Sequence, residues 1–145
     1  MKKISYQVEI DCPRDKVFSV MLDKQHYREW TAEFNPTSQY EGEWKEGNRI
    51  LFLGENEAGE KAGMYSQIAK LEPGKFVSIK HLGMLDQGKE TAFENDLYEN
   101  YYLEDKNGST LLKVEMDTED DWLKYFDKTW PKALQKLKGV CEKNC

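Results

Sequence analysis

Histidine and cysteine are scarce in this chain, and each scarcity removes a class of function. Only two histidines occur among the 145 residues, His26 and His81, and neither has a cysteine or second histidine at ligand spacing. A zinc or other transition-metal centre is therefore not expected. The three cysteines, Cys12, Cys141 and Cys145, are an odd number without paired spacing. That count argues against a disulfide framework and suits a reducing cytoplasm. No apolar run approaches the length of a membrane span. The start, Lys2-Lys3-Ile4-Ser5-Tyr6-Gln7, alternates where a signal peptide would be continuously apolar. Basic charge is also in deficit. Lys and Arg number 21 against 27 Asp and Glu, a net charge of −6. Such a chain repels phosphate backbones, so neither nucleic acid nor an anionic membrane surface is expected as a partner. The lysines near the end, Lys132, Lys136, Lys138 and Lys143, complement the negative end of a helix dipole.

Catalytic signatures are missing as well. Gly54-x-x-x-x-Gly59-Glu60-Lys61 has a glutamate where a phosphate-binding loop needs lysine, and reads as a turn. Asp105, Asn107 and Gly108 lack the later ligands of a calcium loop and read as a hairpin turn. No Gly-x-Ser-x-Gly is present. No residue is assigned a catalytic role, no cofactor is expected, and the leading reading is a non-enzymatic binding domain, with an enzyme kept as an alternative.

What is present is a change of period. Ile4, Tyr6, Val8 and Ile10 alternate with polar residues, as in a half-buried strand. Pro13 suits the first turn of a helix bearing Val17, Phe18, Met21 and Leu22. Asp23 is placed to cap a second short helix carrying Tyr27 and Trp30. Strands are then expected over 40–44, 49–53, 62–71, 76–85, 97–103 and 110–116. Between them lie turns at 45–48, 72–75 and 105–108 and a charged loop over 86–96. From Thr118 to Asn144 the pattern becomes helical. Trp122, Phe126, Trp130, Ala133, Leu134, Leu137, Val140 and Cys141 form one apolar stripe. Thr118-x-x-Asp121 has the form of a capping box. Pro131 inside the stripe predicts either a kink near 128–130 or two helices, the second capped by Thr129. The expectation is one α+β domain over residues 1–145. It has a seven-stranded antiparallel sheet, two short helices after strand 1 and a long C-terminal helix.

That order, with its local signatures, resembles the helix-grip fold of the START-like (SRPBCC) superfamily. Within it the chain is similar to the family named for the activator of heat-shock protein 90 ATPase. The signatures are Cys12-Pro13-Arg14-Asp15-Lys16-Val17-Phe18, Trp30, Glu43-Trp44-Lys45-Glu46-Gly47 and Leu71-Glu72-Pro73-Gly74. Gly108-Ser109-Thr110-Leu111-Leu112 and Trp130 to Lys138 complete the set. The resemblance implies a curved sheet gripping the long helix around an apolar cavity. It implies a small hydrophobic ligand, or a co-chaperone role in the stress response. Some superfamily members are cyclases.

Aromatic residues carry the binding expectation, because an enclosing sheet is not filled by side chains everywhere. The expected lining is Trp30, Trp44, Tyr65, His81, Met84, Tyr98, Tyr101, Phe126 and Trp130. Strand register limits these assignments, since a slip of one residue reverses the face. His81 turns inward if it shares a face with Val77 and Ile79. His81, Glu99 and Tyr101 are the candidates for proton transfer, should the cavity hold a cyclase or hydratase. The expected partner is a lipid-like, aromatic or polyketide-like small molecule in the cytoplasm. A chaperone is the alternative partner, and the expected state is a monomer or weak dimer.

Overall fold

The computed structural model describes residues 2–145; Met1 lies outside them. Strand β1 (Lys2–Ile10) leads into helices α1 (Arg14–Leu22) and α2 (Lys24–Thr31). Six strands follow: β2 (Gln39–Glu41), β3 (Arg49–Glu55), β4 (Lys61–Glu72), β5 (Phe76–Asp86), β6 (Lys89–Lys106) and β7 (Ser109–Thr118). A 3-10 turn at Asp120–Trp122 opens into the long helix α3 (Leu123–Lys143). The strands form one curved antiparallel sheet in the order β1-β7-β6-β5-β4-β3-β2. This is the α+β architecture expected from the change of period, in the helix-grip arrangement that the resemblance implies.

Local chemistry explains the main boundaries. Asp23 ends α1 and caps α2, its carboxylate accepting the His26 N–H at 3.2 Å. Asn107 and Gly108 form a two-residue hairpin with φ of 55° and 97°. Positive φ at both positions is what the tight β6–β7 turn requires. On α3, Trp130, Ala133, Leu134, Leu137, Val140 and Cys141 are buried. They meet Val17 and Met21 of α1, Trp30 of α2, and Val8, Ile10, Leu112 and Val114 of the sheet in one core.

Five sequence expectations are corrected. Residues 86–96 are not a loop: the chain turns at Gln87–Gly88 and β6 begins at Lys89. Strand β2 stops at Glu41, because Gly42 takes φ of 123° and leaves the extended region. The capping box does not form. Thr118 Oγ1 donates to the Glu119 carbonyl at 3.2 Å, and α3 starts later, at Leu123. Pro131 lies inside one helix, so the two-helix alternative fails. Finally, Cys12 and Cys145 form a disulfide with 5.8 Å between Cα atoms, leaving Cys141 as the free thiol. The pairing spans 133 residues, and no local spacing announces it.

Candidate functional site

The site grows from an irregularity shared by three strands. Ser66 pairs with His81 and His81 with Leu97, yet the next pairs are Tyr65 with Gly83 and Gly83 with Ala92. Against β4, Leu82 is thus an extra residue on β5, a β-bulge, while against β6 it is β6 that carries the extra residues, 93–96. Leu82 changes the phase of β5. Val77, Ile79 and His81 face the helix, and beyond the bulge Met84 rather than Gly83 turns toward the cavity. Gly83 is needed on the other face. A Cβ there would stand 2.5 Å from the Tyr65 hydroxyl oxygen and 2.4 Å from the Thr91 carbonyl oxygen.

Four polar side chains converge beside this bulge. Ser66 Oγ lies 2.7 Å from His81 Nδ1, and His81 Nε2 lies 3.0 Å from Glu99 Oε1. The Tyr101 hydroxyl donates to the other oxygen of Glu99. Ser66 is wholly buried and His81 is 4% exposed. The geometry follows from register. Ser66 and His81 are direct cross-strand partners, whereas Glu99 sits two residues beyond Leu97, on the diagonal that a long side chain reaches. Glu99 and Tyr101 share an inward face of β6. Burial first, and the Glu99 charge second, push the Tyr101 phenol well above its ordinary pKa. The Tyr27 phenol on α2 is raised for the same two reasons in the same order. Both rings stand at the site as neutral phenols.

This cluster lies where two lobes of a cavity meet. The first, about 430 Å³, opens between α2, the start of α3 and strands β3 and β4; Tyr27, Trp30, Phe34, Phe52 and Trp130 line it. The second, about 450 Å³, opens past the beginning of β6, which has no partner in β7; Phe93, Leu97, Thr118 and Trp122 line it. Gly63, Met64, His81, Met84, Glu99, Met116 and Phe126 belong to both walls. The second mouth exists because β7 pairs with β6 only from Glu99 onward. Residues 89–95 of β6 therefore extend past β7 and leave a gap above α3.

Of the expected lining residues, Trp30, His81, Met84, Tyr101, Phe126 and Trp130 stand on these walls. Trp44, Tyr65 and Tyr98 stand elsewhere. Trp44 packs its ring edge against Tyr40 and tilts on Phe52. Tyr65 covers Gly83 on the outer face, with the Arg49 guanidinium 5.0 Å from its ring centre. Tyr98 is 37% exposed, as its place between Leu97 and Glu99 dictates. Sequence reasoning did not single out Ser66 or the wall residues Phe34 and Phe93. For Ser66 the available signal was a small polar residue in phase with Met64 and Ile68 on a strand whose inward face is otherwise apolar.

Solved structures share this fold. Protein NE0264 from Nitrosomonas europaea superposes with a TM-score of 0.77 at 11% identity, covering 99% of this chain and 96% of its own. Protein MLL2253 from Mesorhizobium loti gives 0.73 at 14% identity, covering 99% of each chain. CalU16 from Micromonospora echinospora gives 0.69 at 21% identity, over 96% of this chain and 75% of its own. At these identities the likeness concerns the fold. No curated protein matches the sequence. The family described as "Activator of Hsp90 ATPase homolog 1-like protein" matches residues 11–142, nearly the whole chain, and the protein therefore belongs to it.

Proposed function

We propose that this protein is a non-enzymatic carrier or sensor that holds a small hydrophobic molecule between its sheet and α3. The observation that carries the reading is the two-lobed cavity, of about 430 and 450 Å³. Its walls are mainly aromatic and aliphatic, and its few polar groups converge at His81, Glu99 and Tyr101. Sites for small organic molecules have this size and this division of labour, with apolar walls for affinity and few polar groups for orientation.

The same polar cluster favours binding over proton transfer. Both ring nitrogens of His81 are engaged, one by Ser66 and one by Glu99. A general acid or base needs a nitrogen within reach of the substrate. The cytoplasmic setting expected from the cysteine count belongs to this proposal. In a reducing compartment the Cys12–Cys145 pair would be held as thiols.

A thermal-shift and NMR screen with flavonoids, fatty acids, polyketide-like compounds and hydrophobic amines tests the reading. A ligand at a hundredfold excess over its Kd raises stability by about 2.7 kcal/mol. A saturable ligand with that effect supports the proposal. No saturable ligand among these classes removes it.

The family description favours one second reading, an activator acting on a heat-shock protein 90 homologue. That role needs a surface. Trp122, 55% exposed, and Tyr125, 38% exposed, form an apolar edge at the start of α3 that would serve. Pull-down and an ATPase assay with the chaperone separate the two readings. Unchanged turnover and no capture would eliminate the second.

A further inference from the structure

Resting on the cavity-binding reading, we infer that the ligand is cationic: a hydrophobic molecule bearing a protonated amine, whose ammonium group is received by Glu99 among the aromatic rings of the first lobe.

Hydrogen-bond accounting at the cluster comes first. Ser66 is wholly buried, and among the described residues its hydroxyl has one side-chain partner, His81 Nδ1. If the imidazole were doubly protonated, Nδ1–H would donate to Ser66 and leave the serine hydrogen without an acceptor. The neutral tautomer wastes nothing. Ser66 donates to Nδ1, Nε2–H donates to Glu99, and Tyr101 donates to the second carboxylate oxygen. In that arrangement every donor to Glu99 is neutral. There the carboxylate is hydrogen-bonded without a counter-charge, and among the described residues no lysine or arginine stands on the walls it shares. A carboxylate accepts about four hydrogen bonds, so this one has capacity left for a ligand. Its side chain is 15% exposed, and it stands on the wall of both lobes.

The surroundings have the same sign. Among the described residues, no lysine or arginine lines either lobe. Carboxylates do: Glu55 at the first mouth, and Glu94, Asp117 and Glu119 at the second. Three cations of the sheet are engaged with other carboxylates. Arg49 pairs with Glu90 at 2.8 Å, Lys61 with Glu41 at 3.2 Å and Lys80 with Asp96 at 3.4 Å. The aromatic wall completes the chemistry. Tyr27, Trp30, Phe34, Phe52 and Trp130 line the lobe that Glu99 enters. Ring faces attract a desolvated cation, and charge-assisted hydrogen bonds to a carboxylate are the stronger kind. An anionic ligand would meet the reverse: a buried like charge, with no basic group to receive it.

The test uses one apolar skeleton with three head groups, 1-naphthylmethylamine, 1-naphthalenemethanol and 1-naphthoate, titrated calorimetrically into the intact protein at neutral pH. The expected order is amine, then alcohol, then carboxylate, with the amine tighter than the alcohol by about tenfold or more. Glu99→Gln should shrink the amine-to-alcohol ratio of Kd values toward one. Should that variant fail to fold, the ordering in the unmodified protein decides by itself. Alcohol binding as tight as amine binding, or a preference for the carboxylate, overturns the inference and leaves the cavity reading intact. No binding by any of the three overturns the cavity reading for this ligand size, and the inference falls with it.

Discussion

Tyr27 and Tyr101 set a pH limit on the fold. Burial, reinforced by the negative charge of Glu99, raises both phenols well above the ordinary value. The folded state therefore holds these two protons more tightly than the unfolded chain does. Below about pH 10, the ordinary phenol value, both states are protonated and the stabilisation is fully present. As pH rises past that point the unfolded chain sheds protons that the folded state keeps, and stability falls by up to about 1.4 kcal/mol per pH unit for each group. Urea denaturation from pH 8 to 11 should show this decline, and Tyr101→Phe should make it shallower. A stability flat across that range would contradict the burial of these phenols. His81 was legible from the sequence at the same scale, since its phase with Val77 and Ile79 is an alternation that can be counted. Its partners were not. Ser66 lies fifteen residues away and Glu99 eighteen, and only the register of three strands brings them together.

Among the elements, α2 depends on a single cap. Asp23 accepts the His26 N–H and also stands 2.9 Å from the His26 ring. Asp23→Ala should cost about 1 kcal/mol, read as a lower urea midpoint, and Asp23→Asn should recover most of it. Equal stability of Asp23→Ala and the parent would show that α2 is held by Trp30 and tertiary packing alone. The helices, and the five strands with clean alternation, were legible because one face of each is buried. The first half of β6 was not. Lys89 to Ala92 pair with β5 alone, residues 93–96 fall outside the register with either neighbour, and apart from half-buried Phe93 the side chains over 89–96 are exposed. A strand without a buried face has no period-2 signal, and its charges read as a loop. The bulge at Leu82 was equally silent, although it is what turns Met84 to the cavity beside His81. Trp44, Tyr65 and Tyr98 mark the same boundary: their residue type suited a cavity wall, but Trp44 lies beyond the end of β2 and register turns Tyr65 and Tyr98 to the outer face.

For the molecule as a whole, the long-range tie between Cys12 and Cys145 fastens the end of the chain to the β1–α1 junction. Closing so long a loop restricts the unfolded chain, and removing a disulfide of this kind costs about 2–4 kcal/mol. In the oxidised protein Cys145→Ser should lower the thermal midpoint accordingly, and under reducing conditions variant and parent should match. Burial pushes the remaining Cys141 thiol up to about 12, so it should stay unmodified by a thiol reagent at pH 8 until the protein unfolds. A reactive thiol in the native protein at full stability would contradict this arrangement.

The central claim is that the space between sheet and α3 receives a ligand. The four tryptophans allow it to be tested residue by residue. Trp30 and Trp130 stand on the cavity wall, Trp122 at its mouth and Trp44 outside its lining. Each indole N–H gives one NMR signal, and a titration with 1-naphthylmethylamine follows all four. The account predicts that Trp30 and Trp130 shift together, saturate with a single Kd, and move along with the His81 ring while Trp44 changes least. Shifts confined to Trp122 and growing linearly with concentration, or no shift at Trp30 and Trp130, would contradict it.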